Sequence, residues 1–169
     1  MALLEIITLP NPVLKRKSRK VTDFGPDLQM LIDNMVETMR DAPGVGLAAP
    51  QVNVLQQIVV IEFGDEEDET VPAKLYILIN PEITKLSNNT LIGVEGCLSI
   101  PGLVGEVERS ESVVIKGLNR RGQPVKVKAK GWLARIFQHE IDHLNGELFV
   151  DKATRLWQQK DEEEIPATD

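Results

Sequence analysis

The sequence predicts a single α+β domain with a largely antiparallel sheet. The chain has 169 residues and is 42% hydrophobic, which is enough to build one core. Short runs rich in β-branched residues are grouped in its middle, and clear helical patterns lie before and after them. Because helices and strands do not alternate, parallel βαβ units are not expected. The domain is expected to cover residues 1–160, and the acidic tail 161–169, with almost nothing to bury, is expected to be disordered.

The first part of this pattern is one helix followed by strands. Residues 27–42 place apolar side chains on one helical face, and Pro43 with Gly44 ends the pattern. The link GDEEDET between the first two strands is predicted to be a solvated loop, and NRRGQP between the last two a hairpin turn. Strands are predicted at residues 57–63, 74–80, 90–98, 112–118 and 125–129.

A second helix is predicted over residues 131–146, GWLARIFQHEIDHLNG. Its apolar residues follow a helical spacing, and Gly146 stands where a helix terminator is expected. A weaker helix is predicted from about Lys152 to Lys160. The sheet is therefore expected to pack around a central helix that carries the segment HEIDH.

The composition excludes several classes of protein. With 26 acidic and 19 basic residues, the net charge of -7 argues against a protein that mainly binds a nucleic-acid backbone, so a small polar or peptidic ligand is favoured. No apolar run approaches the roughly 18 residues of a membrane span, and the N-terminus fits neither a signal nor a transit peptide. One cysteine excludes a disulfide within the chain and favours a cytoplasmic location.

The stretch GVGLAAPQ, residues 44–51, can be written G-x-G-x-x-A, the form of a dinucleotide-binding turn. Such a turn follows a strand and opens a helix. Here the stretch follows a helix and is closed by Pro50. The order of elements therefore argues against nucleotide binding.

The segment HEIDH has the spacing of a metal site. His139 and His143 are four residues apart and lie on one helical face, and Glu140 is placed to reach a metal-bound water. Surface histidines on an amphipathic helix are the plain alternative, but apolar residues surround this pair. The pattern predicts metal-assisted hydrolysis.

A third ligand has to be a cysteine or a carboxylate, since the chain has only two histidines. Cys97, in EGCLSIPG near a strand end, is the natural candidate, although an inert buried thiol fits the spacing equally well. Three protein ligands leave one position for water, which distinguishes a catalytic from a structural site.

Three motifs occur in order: GVGLAAPQ, EGCLS and QHEIDH. Together they resemble the signature motifs of the bacterial and organellar peptide deformylases, and the likeness runs from LPNPVL to about residue 155. The resemblance implies that Cys97, His139 and His143 hold the metal. It also implies that Glu140 is the general acid and base.

The resemblance assigns further roles around the metal. Gln51 and the backbone N–H of Leu98 are implied to form the oxyanion hole, although the sequence alone favours an ordinary exposed amide for Gln51. Gly46 is implied to contact the backbone of an extended substrate. The methionine side chain is expected to meet apolar residues near the metal helix, namely Val45, Trp132 and Ile136.

The implied reaction removes the formyl group from N-formylmethionine at the start of nascent chains and releases formate. The resemblance implies one divalent ion, Fe(II) in the cell with Zn or Ni as substitutes, whereas the ligands alone favour zinc. A transient ribosome contact is possible but no specific nucleic-acid or membrane binding is expected, and nothing after Lys160 favours docking on RNA.

Two other functions fit parts of the sequence. HEIDH alone is also found in zincin-type metallopeptidases. A structural metal site is the third possibility, in which a carboxylate such as Glu95 or Asp142 closes the fourth position.

Overall fold

The computed structural model describes residues 2–64, 68 and 70–159. The acidic tail, Lys160 and most of the predicted acidic loop lie outside the described residues. The helices are α1 (Pro26–Asp41), α2 (Gly131–Leu144) and the single turn α3 (Phe149–Lys152). The strands are β1 (Gly46–Ala48), β2 (Ile58–Phe63), β3 (Lys74–Leu86), β4 (Thr90–Cys97), β5 (Ile100–Ser110), β6 (Ser112–Leu118), β7 (Pro124–Lys130) and β8 (Arg155–Gln158).

The strands form two sheets in which every paired strand is antiparallel to its neighbour. One has five strands in the order β1-β2-β3-β6-β7, and the other has three in the order β4-β5-β8. The predicted α+β class with a largely antiparallel sheet is confirmed. Within the described residues, no helix is long and apolar enough to cross a membrane.

Helix α1 forms where its apolar spacing predicts it. Pro26 occupies the first turn, where its missing N–H costs no helical hydrogen bond. Its buried face, including Ile32, Met35 and Met39, packs against Val60 and Ile79 of the five-stranded sheet. The backbone N–H of Gly44 donates to the carbonyl of Met39 and ends the helix.

Helix α2 is the central element of the fold. Every residue from Ala134 to Leu144 is buried, and the helix contacts β1, β2, β5, β6 and β7. Ile136 and Phe137 are fully enclosed in the core that α2 shares with the five-stranded sheet. Gly146 follows with a φ of 75°, and a Cβ there would lie 2.5 Å from the backbone oxygen of Lys15. A glycine is therefore required both by the turn and by the close approach.

The predicted helix from Lys152 to Lys160 is wrong. Residues Arg155–Gln158 form β8, which pairs with β5 and sets Trp157 opposite Val104. The pairing with β5 overrides the weak local preference of this segment for a helix. Strands β5 and β1 were not predicted, because β5 begins within the Pro-Gly segment after EGCLS and β1 is only three residues long.

Candidate active site

The predicted metal ligands meet at the junction of α2 and the three-stranded sheet. One donor atom each from Cys97, His139 and His143 lies within 4.8 Å of the others, and all three residues are buried. The sulfur of Cys97 is 3.4 Å from Nε2 of His143. A thiolate with two imidazoles suits a divalent transition metal such as zinc or iron. These residues therefore fit a metal ion with three protein ligands and one open position.

A break in the strand register places Cys97 at this junction. Residues 90–96 of β4 pair regularly with β5, but the register shifts between Gly96 and Cys97, which lies opposite Ile100. Such an irregularity re-aims the side chain at the end of a strand. Cys97 is consequently turned towards α2, and the inert-thiol alternative does not explain its contact with His143.

A buried carboxylate orients His139. Oε1 of Glu95 lies 2.9 Å from Nδ1 of His139, which leaves the other ring nitrogen, Nε2, for a metal. Arg109 donates to both oxygens of Glu95 at 2.9 and 2.8 Å, and Arg135 donates to Oε2 at 2.6 Å. Burial alone would raise the pKa of Glu95, but the hydrogen bonds from Arg109 and His139 hold that pKa well below its ordinary value.

The two carboxylates considered as fourth ligands have other partners. Glu95 pairs with the arginines, and Asp142 accepts hydrogen bonds from Arg109 and from Lys152. Among the described residues, the group that could hold a metal ion contains Cys97 and the two histidines alone. The arrangement is therefore that of a catalytic rather than a closed structural site.

The side chain of Glu140 packs against the backbone of β1 at Gly46. The Glu140 side chain is fully buried, and a Cβ added to Gly46 would lie 2.6 Å from its Oε2 and 3.1 Å from its Cγ. Only a glycine at residue 46 leaves room for this carboxylate. Gly46 thus has a steric role beside the metal helix that the sequence did not reveal.

Gln51 is fully buried, so the exposed-amide alternative is wrong. Its Oε1 accepts a hydrogen bond of 3.0 Å from the backbone N–H of Ala48. This hydrogen bond sets the orientation of the side-chain amide. Its Nε2 donates to the hydroxyl of Ser99 at 3.2 Å and lies 3.6 Å from the sulfur of Cys97. Leu98 is partly buried and lies in the turn between β4 and β5, directly after Cys97. The two predicted oxyanion donors therefore flank the same ligand.

The apolar residues expected near the substrate share one cluster. Val45 and Trp132 are partly buried and pack against the core cluster that contains Ile136. Ile136 itself has no exposed surface. A ligand at the open margin of this cluster would meet Val45 and Trp132 before Ile136.

The supporting residues around the ligands were the main omission from the sequence reasoning. Glu95 was considered only as a ligand, although it lies on β4 two residues before Cys97 and its carboxylate contacts His139. Arg109 was missed together with β5, and Arg135 lay within the predicted helix 131–146 without an assigned role. Ser99 carries no signal of its own in the sequence.

Comparisons with known proteins agree on one family. The polypeptide deformylase family model matches residues 3–159. A peptide deformylase of Thermodesulfovibrio yellowstonii is 48% identical over 156 residues, which is 92% of each chain. The crystal structure of peptide deformylase from Thermotoga maritima superposes with a TM-score of 0.83 at 39% identity, covering 90% of this chain and 98% of that one.

A complex with actinonin is also among the similar structures. Peptide deformylase from Ehrlichia chaffeensis in complex with actinonin has a TM-score of 0.85 at 38% identity, covering 91% of this chain and 90% of that one. Nothing in the comparisons supports the metallopeptidase alternative. The chain belongs to the peptide deformylase family, and it is a metal-dependent hydrolase that removes the N-formyl group from the N-terminal formylmethionine of nascent polypeptides.

Proposed function

We propose that Cys97, His139 and His143 hold the metal ion of this deformylase and that Glu140 is its general acid and base. The observation that supports this most directly is the meeting of three buried donor atoms within 4.8 Å on and beside the helix that carries Glu140. When bound, the metal supplies Lewis-acid chemistry that makes a water molecule nucleophilic near neutral pH.

The proposed proton transfers run through Glu140. Its carboxylate accepts a proton from the water that attacks the formyl carbon, and it then delivers this proton to the departing amine. The C–N bond breaks, and the products are formate and a free methionine amino group. The burial of Glu140 favours such a transfer, because a packed carboxylate keeps a fixed position relative to the reacting atoms.

The negative charge that develops on the formyl oxygen needs hydrogen-bond donors. We assign this role to Nε2 of Gln51 and the backbone N–H of Leu98. The support for Gln51 is that its amide is already oriented by the hydrogen bond from Ala48 and by Ser99. A donor that is held in place before the reaction needs no reorganisation in the transition state.

We further propose that the substrate peptide lies along β1. This strand is at the end of the five-stranded order, and Gly46 presents its backbone without a side chain. An extended peptide can add to such an edge through main-chain hydrogen bonds. Val45 and Trp132 would then contact the methionine side chain at the margin of the apolar cluster.

The remaining assignments follow from the family and its substrate. We infer that Fe(II) is the metal in the cell, with Zn or Ni able to replace it, and that the enzyme works in the cytoplasm, where formylated nascent chains are made. Residues 1–160 are proposed to form one catalytic domain.

The test is formate release from formyl-Met-Ala-Ser by protein loaded anaerobically with Fe(II), with the unformylated peptide as the negative substrate. We expect release from the loaded protein and none after chelation. Glu140→Ala is expected to retain one metal ion per chain and to lose turnover by a factor on the order of 10² to 10⁴. Glu111→Ala, at an exposed glutamate, is the matched control. Wild-type turnover by Glu140→Ala would show that Glu140 is not the acid and base.

A further inference from the structure

The side-chain amide of Gln51 has one orientation that satisfies its neighbours. The backbone N–H of Ala48 can donate but cannot accept, so Oε1 of Gln51 has to face it, at 3.0 Å. Nε2 therefore faces the turn of residues 98–99, between β4 and β5. Because Gln51 is fully buried, both N–H groups of this nitrogen need acceptors within the protein or in its bound substrate.

Ser99 takes up one of these two N–H groups. Its hydroxyl oxygen lies 3.2 Å from Nε2 of Gln51, and Ser99 is also fully buried. The amide group is planar, so its two N–H bonds point in fixed and diverging directions. A hydrogen held by Ser99 leaves the second one on the side of the sulfur of Cys97, which is 3.6 Å from Nε2. The three metal ligands meet on that side.

Ser99 belongs to the same turn as the second proposed oxyanion donor. Residues 97–99 carry in succession a metal ligand, the backbone N–H of Leu98 and the hydroxyl of Ser99. The hydrogen bond from Gln51 to Ser99 thus joins the side-chain donor to the turn that presents the backbone donor. Two donors with a fixed separation are what a preorganised oxyanion site requires.

The N-terminal segment joins the backbones of the same two residues. The N–H of Ile7 donates to the carbonyl of Gln51 at 2.8 Å, and the N–H of Leu9 donates to the carbonyl of Ser99 at 3.0 Å. Ile7 and Leu9 pack against the apolar cluster that contains Cys97. We call residues 7–9 the N-terminal strap. The strap bridges two stretches of chain that are 48 residues apart in sequence, so their separation does not depend on the side-chain contact alone.

Packing alone does not explain a serine at residue 99. A fully buried hydroxyl gives up its hydrogen bonds to water, whereas an alanine would fill nearly the same space without that cost. The loss is offset here because the hydroxyl accepts a hydrogen bond from an amide that is itself buried. The hydroxyl of Ser99 therefore serves the amide of Gln51.

We propose that Ser99 is a positioning residue of the deformylase reaction. Its hydroxyl accepts one N–H of Gln51 and thereby directs the other N–H towards the oxygen of the formyl group. The N-terminal strap keeps the two residues at the separation that this contact needs. The inference rests on the proposed role of Gln51 as an oxyanion donor, and it assigns to Ser99 an effect that passes through that amide.

The test is a double-mutant cycle of Ser99→Ala and Gln51→Ala. We would measure kcat and KM for formyl-Met-Ala-Ser, and the metal content of each variant. Ser99→Ala should lower kcat roughly tenfold with little change in KM or metal content, because the oxyanion exists only beyond the ground state. Gln51→Ala should lose more, roughly 10²- to 10³-fold. In the Gln51→Ala background, Ser99→Ala should change kcat by less than about twofold, since no amide is left to position.

Ser18→Ala is the matched control. Ser18 is a buried serine whose hydroxyl has no hydrogen-bond partner among the described residues, and we expect this variant to keep the wild-type kcat. An equal fold-loss from Ser99→Ala with and without Gln51 would show that the two act independently and would overturn the proposal. Failure of Ser99→Ala to fold or to bind the metal would show a purely structural role and would also overturn it. Wild-type kcat in Gln51→Ala would instead refute the oxyanion role of Gln51 on which the inference rests.

Discussion

Replacement of Gly46 by alanine tests how closely the active site is packed. The new Cβ would lie 2.6 Å from Oε2 of Glu140, 3.0 Å from its Cδ and 3.1 Å from its Cγ. Gly46 cannot move away easily, because it is buried and paired with Ile61 of β2. The substitution keeps every backbone hydrogen-bonding group of residue 46. Any loss of activity should therefore come from displacement of the Glu140 carboxylate and not from lost contacts to the substrate backbone.

The size of the effect follows from the geometry. Restoring an ordinary contact of 3.4 Å requires the Glu140 carboxylate to move by about 0.8 Å. A misplacement of roughly 1 Å at a reacting group can lower the rate by about 100-fold. We therefore expect kcat to fall by about 100-fold with little change in metal content, and the overpacking to destabilise the fold by about 1–3 kcal/mol.

The assay is formate release from formyl-Met-Ala-Ser over a range of substrate concentrations, with metal content measured on the same samples. Gly25→Ala is the control, since its Cβ would meet only the exposed side chain of Asp23, at 3.0 Å. An unchanged kcat with a raised KM in Gly46→Ala would refute the steric reasoning and indicate that residue 46 acts only on substrate binding.

Three further substitutions probe other parts of the structure. Gln51→Ala should lower kcat by about 10² to 10³-fold with the metal retained, as expected for an oxyanion donor, and steady-state kinetics with metal analysis would show whether it does. Glu95→Gln should destabilise the fold by about 3–5 kcal/mol in urea unfolding, because it weakens a buried pairing with Arg109 and Arg135, and should weaken metal binding 10- to 100-fold; a loss under 1 kcal/mol would contradict this. Glu62→Gln should cost only about 0.2–1 kcal/mol at pH 7, because its partner Arg40 is half exposed. The hydrogen bond from Arg40 lowers the pKa of Glu62, so this contribution is present above the ordinary carboxyl pKa and is lost as the pH falls through the lowered value; a difference between wild type and variant that persists in acid would contradict the assignment.

Much of the fold could be predicted because its two long helices and most strands carry strong local patterns. The apolar spacing of α1 matches the face that the structure buries, α2 lies within the predicted residues 131–146, and β6 spans the predicted residues 112–118. The segment after α2 was assigned wrongly, because Arg155–Gln158 becomes a strand only through pairing with β5. Two separate sheets could not be foreseen, since register and strand order depend on contacts distant in sequence.

The candidate site was predictable where chemistry restricts the choice of residue. Two histidines at helical spacing and one cysteine leave few ways to form a metal site. The roles of Glu95 and Arg109 depend on the register between β4 and β5, which no local pattern encodes. The steric role of Gly46 likewise depends on the packing of β1 against α2, which only the folded chain reveals.

The position of the metal ligands also bears on the stability of the whole molecule. Cys97 belongs to the three-stranded sheet, whereas His139 and His143 lie on the helix that packs against the five-stranded sheet. An ion held by all three would add a further link between two layers that are otherwise joined by side-chain packing and by the buried pairs of Glu95 with His139 and Arg135 and of Arg109 with Asp142. Since a ligand of the folded state alone stabilises that state, saturation at 100 times the dissociation constant would contribute about 2.7 kcal/mol. Metal supply would thus influence how long the protein survives proteolysis as well as how fast it works.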